Sequence, residues 1–80
     1  MSDRAAILKR ATPIFREVLR PGLEVTEDLD ASQVEEWDSL NHISLIVALE
    51  NEFGCEFTTD ELAAMENVGD LLTTLEAKGV

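Results

Sequence analysis

The sequence predicts an all-α fold: a small bundle of three main helices plus one short one, with a long loop between the first two. Three observations carry this. Apolar residues recur at helical spacing in three separate stretches, and no stretch alternates as a strand should, except the trio Cys55-Glu56-Phe57. Residues that start and stop helices stand at the ends of those stretches. At 80 residues the chain is read as one domain, residues 1–80, with a single core and modest stability.

The first helix is expected from residue 3 or 4 to residue 20, where Pro21-Gly22 closes it. Ile7, Leu8, Ala11, Ile14, Phe15, Val18 and Leu19 form its apolar stripe. Pro13 removes a backbone hydrogen bond inside it, so the helix either bends there or restarts at Thr12-Pro13; the unbroken stripe favours one bent helix. Residues 21–38, PGLEVTEDLDASQVEEWD, are too irregular for a regular element. Leu23, Val25, Leu29, Val34 and Trp37 are read as anchors that pin this acidic loop across the core. A loop of this length in a small domain points to function or disorder, and five anchors argue against disorder.

The central helix runs from Ser39 to Phe53, with Gly54 as its C-terminal cap. Leu40, Ile43, Leu45, Ile46, Val47, Leu49 and Phe53 sweep more than half its circumference, interrupted by His42 and Glu50. So wide an apolar arc is packed by several neighbours or leaves side chains for a partner. Thr58 and Glu61 have the spacing of a capping box, which opens a short helix to about Met65. Asn67 caps a last helix over Val68 to Lys78, with Val68, Leu71, Leu72 and Leu75 inward and Gly79 at its end.

Charge is unevenly spread. The net charge is −11, divided into +3 over residues 1–20 and −14 over residues 21–80. Such an acidic surface disfavours nucleic acid and anionic lipid and attracts partners with basic patches. Arg4, Lys9, Arg10, Arg16 and Arg20 are expected to form a solvated face on the first helix. One cysteine permits no intrachain disulfide, the N-terminus has no apolar run of membrane length, and the reading is soluble, cytoplasmic and monomeric.

Catalytic and metal chemistry find little support. His42 lies three residues after Ser39 on the same helix side, but an orienting acid, an oxyanion hole and a pocket are missing from the pattern. Asp28-Leu29-Asp30 starts like a calcium loop, yet Gln33 stands at the required glycine and Ser39 at the closing glutamate. Cys55 reads as a small buried apolar residue, and His42 as a partly solvated one. No catalytic or metal residue is assigned, so the chain is read as a non-enzyme. Ser39 remains, a hydroxyl between an acidic loop and an apolar helix. A helix start favours an anionic group such as a phosphate ester, although Ser39 or Asp38 as a simple helix cap is equally sound physics.

Asp38-Ser39-Leu40 resembles the modification motif of the acyl and peptidyl carrier proteins. The tripeptide is weak alone; the acidic loop before it, the helix ending in Glu50-Asn51-Glu52-Phe53-Gly54, the capping-box helix and the closing helix extend the resemblance over nearly the whole chain. The resemblance implies a discrete carrier, a cosubstrate of other enzymes, with 4′-phosphopantetheine esterified to Ser39. It implies that Asp38 assists modification by a phosphopantetheinyl transferase, and that Leu40 and Val47 contact acyl-loading and acyl-transfer enzymes. Fatty-acid carriers of the family usually place an acid five residues after the serine, where this chain has Ser44, and Asn41, His42 and Trp37 also depart from them. The departures turn the expectation toward a specialised pathway, polyketide or nonribosomal in type. The alternative is an unmodified acidic adapter that presents Leu40 and Val47 to a basic, apolar groove. The charge imbalance carries its own expectation: the melting temperature rises as added salt or magnesium screens the acids of residues 21–80, and a melting point flat across that range contradicts the repulsion argument.

Overall fold

The computed structural model describes residues 4–79. It has four α-helices: α1 (Arg4–Val18), α2 (Ser39–Phe53), α3 (Thr59–Ala64) and α4 (Val68–Ala77). Against α1 lie α2 and α4. No strand occurs among the described residues, and no helix of theirs is long and apolar enough to cross a membrane. The expectation that α1 starts at residue 3 lies outside the described residues. Its end falls at Val18 rather than residue 20. The Leu19 N–H still reaches the Phe15 carbonyl, but Gly22 turns the chain with φ of 78°.

Pro13 sits inside α1 without splitting it. Its missing N–H leaves the Lys9 carbonyl without its helical donor, and both residues are exposed, so water can serve that oxygen. Thr12 Oγ1 donates back to the Leu8 carbonyl at 2.8 Å one turn earlier.

Phe15, Val34, Leu45, Leu49, Val68, Leu72 and Leu75 form the fully buried centre. All five predicted loop anchors join it: Leu23, Val25, Leu29 and Val34 are buried, and Trp37 packs against the cluster. The loop is not wholly irregular, however. Ala31–Gln33 make a 3-10 turn, started by Asp30, whose carboxylate accepts from the Ser32 N–H at 3.0 Å. The hydroxyl of Ser32 donates to the same carboxylate, and these bonds hold Asp30 below the usual carboxylate range. Such a turn carries no apolar period, and for that reason it was invisible to pattern reasoning.

The loop is also bonded to α4. Val68 N–H donates to the Leu29 carbonyl and Gly69 N–H to the Glu27 carbonyl, each at 2.9 Å. Gly69 suits this approach, since a Cβ there would stand 3.2 Å from the Glu27 oxygen. Arg4 clamps the same corner. It pairs with Glu27 and Glu76 and donates to the Gly69 carbonyl at 2.8 Å.

The basic residues of α1 are therefore not simply a solvated face. Arg10 pairs with Glu52 and lies over the Phe53 ring, Arg16 donates to the Leu23 carbonyl, and Arg20, just past the end of α1, reaches Glu36. The partners of Arg4, Arg10 and Arg20 are long-range in sequence, and that of Arg16 lies across the turn after α1, so composition does not give them. The capping box of Thr58 and Glu61 is formed in both directions. Lys78 holds Glu61 from the far side at 2.8 Å, and that bond, with the Thr58 N–H, draws the Glu61 carboxyl below its ordinary range.

The packing fixes two magnitudes. Leu49→Ala, at a site with no solvent exposure, is expected to cost about 3 kcal/mol. Thr58→Ala removes the cap of a peripheral six-residue helix and is expected to cost about 1 kcal/mol. Urea unfolding of both variants checks the order; a Thr58 variant that loses more than the Leu49 variant contradicts this account of the core.

Candidate functional site

The site is built on the first turn of α2. Asp38 is its N-cap: with extended backbone, its carboxylate accepts from the Asn41 N–H at 2.8 Å, and its carbonyl takes the His42 N–H. The two cap assignments left open by the sequence are thus decided for Asp38. Ser39 becomes the first helical residue, exposed, and no hydrogen bond among the described residues engages its hydroxyl. It is free of any structural duty that a bond would reveal. The N–H groups of this first turn beyond the one Asp38 satisfies still face outward, with the positive end of the helix dipole behind them.

Beside Ser39 lies an open recess lined by Ala31, Trp37, Asp38, His42 and Ile43. Trp37 forms its wall. The indole meets Phe15 edge-on, with ring centroids 5.6 Å apart, and stacks on the His42 ring at 6.2 Å. Its Nε1–H donates to His42 Nδ1 at 3.0 Å. An indole N–H can only donate, so His42 Nδ1 is the acceptor and the neutral imidazole carries its proton on Nε2. Burial holds the His42 pKa below its ordinary value. His42 is thus half-buried, as expected, but it is also part of the wall, which the sequence did not reveal. The signal available was the spacing of the sole Trp and the sole His, five residues apart across a helix start.

Leu40 and Val47 are exposed, at 74% and 49%, and Ile43 between them at 63%. Together they make one apolar stripe at helical spacing on the outer face of α2. Ile43 belongs to the predicted apolar arc but not to the contact residues the resemblance implies. Glu50 and Glu52, the acids of this helix, are engaged elsewhere: Glu50 accepts from the Phe57 N–H at 2.8 Å, and Glu52 pairs with Arg10. Cys55 lies away from Ser39 and is half-buried rather than buried as expected, because it stands in the connection after α2 rather than inside a helix, and burial pushes its thiol pKa up. Among the described residues no three His, Cys, Asp or Glu side chains gather to hold a metal.

The family model described as phosphopantetheine attachment site matches residues 10–75. A solved chain from Mycobacterium tuberculosis, provisionally described as an acyl carrier protein, superposes with a TM-score of 0.81 at 22% identity. The match covers 90% of this chain and 97% of that one, and it shows a shared fold.

The wall has a pH consequence. Because burial depresses the His42 pKa in the folded state, the unfolded chain binds its proton first as pH falls. Stability is complete above about pH 6.5 and declines as pH drops from there toward the lower folded value. Chemical unfolding at several pH values checks this: the wild type loses stability in that window relative to His42→Gln, and parallel curves for the two proteins sink the assignment.

Proposed function

The chain belongs to the phosphopantetheine attachment site family, a carrier of the acyl-carrier type whose prosthetic group is covalent 4′-phosphopantetheine, and on that premise we propose that Ser39 bears the arm. The single observation that carries the assignment is the division of labour at the start of α2: Asp38 caps the helix, which leaves the Ser39 hydroxyl exposed and unbonded. The group fits there. A phosphodiester on Ser39 stands at the positive end of α2, with an open recess on one side and solvent on the other.

The chemistry supplied by the arm is a thiol that holds an acyl group as a thioester. The residues of this chain do the rest by position. Asp38 sets the serine at the first helical position and lies where it can assist a phosphopantetheinyl transferase. Leu40 and Val47, with Ile43 between them, offer partner enzymes an apolar stripe. The net charge of −11 steers encounters with basic docking sites. Residues 1–80 act as a single carrier domain, a cosubstrate rather than a catalyst.

A specialised pathway suits this surface better than housekeeping fatty-acid synthesis. No acid lies in the first turn of α2, and the two at its far end are held by Phe57 and Arg10. Recognition along the helix therefore leans on apolar contact, with acidic steering from the loop before it.

The test is direct. A phosphopantetheinyl transferase with coenzyme A adds one prosthetic group to the purified protein, read by intact mass, and Ser39→Ala abolishes the increase. An increase that persists in Ser39→Ala moves the arm to another residue. No increase with several promiscuous transferases favours an unmodified adapter, whose partner binding survives the substitution.

A further inference from the structure

Behind the recess beside Ser39 lies a second space. It is a small, partly enclosed pocket of about 70 Å³, lined by Trp37, His42, Leu45, Ile46, Met65 and Leu71, with exposed Ala31 and Glu66 at its rim. Ala31, Trp37 and His42 line both spaces, so the two rings form part of the partition between the recess and the pocket. The pocket is less than half the roughly 150 Å³ that accepts benzene in an apolar core, and offers room for about two groups of water size. A longer chain entering from Ser39 must move the partition.

The partition is held by one directional bond and two ring contacts. On the side of α1, the indole edge meets the buried Phe15. On the other side its Nε1–H is satisfied by His42 Nδ1. We propose that the Trp37–His42 pair is the specificity-determining wall for the group carried at Ser39: closed, it keeps all but the shortest acyl groups at the surface, and parting the pair opens the interior. The cargo half of this inference rests on Ser39 as the attachment residue; the wall itself does not.

The bond between the rings exists only while His42 Nδ1 is unprotonated. The charged groups that line the two spaces are Asp38 on the recess and Glu66 at the rim of the pocket, in the connection between α3 and α4; no lysine or arginine lines either. A protonated His42 loses Trp37 as its donor and has two carboxylates to turn to. Trp37 then keeps its packing against Phe15 and the core but loses the one side-chain hydrogen bond that fixes its ring. Acid therefore opens the wall, and so does any substitution that removes the acceptor.

Trp37 is the sole tryptophan, so its emission reports the wall without a label. Acrylamide quenching of the unmodified protein is followed from about pH 7.5 to about pH 5, with far-UV dichroism to verify that the helices persist. Quenching of the wild type is expected to rise about twofold as the ring is released, the behaviour of a local opening below global unfolding. His42→Gln, which keeps an acceptor and cannot take a proton, stays protected throughout; His42→Leu is quenched strongly at every pH. A wild-type Trp37 that stays protected while NMR shows His42 titrating overturns the wall, as does a folded His42→Leu protein quenched no more than the wild type.

The cargo half is read on the arm-bearing protein at neutral pH. In the wild type neither acetyl nor octanoyl loading changes Trp37 quenching, because the closed wall keeps the octanoyl chain at the surface, whereas octanoyl loading of His42→Leu changes it as the chain enters past the opened wall. Octanoyl loading that changes wild-type quenching as much as that of His42→Leu overturns the selectivity. Failure of Ser39 to accept an arm overturns the cargo half together with the reading it rests on, while the unmodified protein still decides the wall.

Discussion

The carboxylate of Asp38 governs this molecule. A helix start has several backbone donors to satisfy, and the side chain that satisfies one of them is committed to that bond. Asp38 accepts from Asn41, and the adjoining serine is thereby left uncommitted. Had Ser39 been the cap, its oxygen would have pointed back along the helix toward the donors of the first turn. The displacement of the cap by a single residue converts a structural hydroxyl into an available one. Asn41 adds a second brace, for its side-chain amide donates to the Glu36 carbonyl at 2.7 Å and fixes the approach of the loop.

That first turn can be placed only because the loop before it is anchored. Residues 19–38 would cost much conformational entropy to order if they only crossed the surface. Buried Leu23, Val25, Leu29 and Val34 offset that cost, and the bonds from Val68 and Gly69 to Leu29 and Glu27 tie the middle of the loop to α4. Arg4 gathers Glu27, Glu76 and the Gly69 carbonyl at the same corner, so α1, loop and α4 meet in one charged cluster at the rim of the core. The Arg4 guanidinium is held more firmly protonated by those two carboxylates. Trp37, at the end of the loop, is then set down between Phe15 and His42.

The legible part of this design was local. Helix α2 runs from Ser39 to Phe53 and ends at Gly54 in the left-handed region, because one cap residue and one glycine stand at its limits and are recognisable in a string of letters. The Thr58–Glu61 box and the Asn67 cap are short-range for the same reason. What was hidden required the fold. Arg4 and Arg10 looked like solvated charge because their partners lie 23 to 72 residues away. The 3-10 turn at Ala31–Gln33 has no period, and the Trp37–His42 bond joins a loop residue to a helix residue whose relative orientation no spacing rule gives. Ser39 was legible as a candidate, but its freedom was not, since that depends on which neighbouring side chain wins the cap.

The exposed stripe on α2 has a size that suits a carrier. Three aliphatic side chains fully buried by a partner contribute about 1.5–3 kcal/mol each, in total no more than about the lower half of the roughly 4–15 kcal/mol that association costs. Leu40, Ile43 and Val47 alone therefore cannot hold a partner for long. Acidic steering raises the rate of encounter without lengthening the stay, because exposed charges act at range and are screened at contact. A larger apolar face would bind more tightly and release more slowly, and Leu45, Ile46, Leu49 and Phe53 of the same helix are withheld in the core. The helix thus divides its wide apolar arc in two: one part holds the bundle together, and the other stays exposed as the small stripe proposed for partner contact.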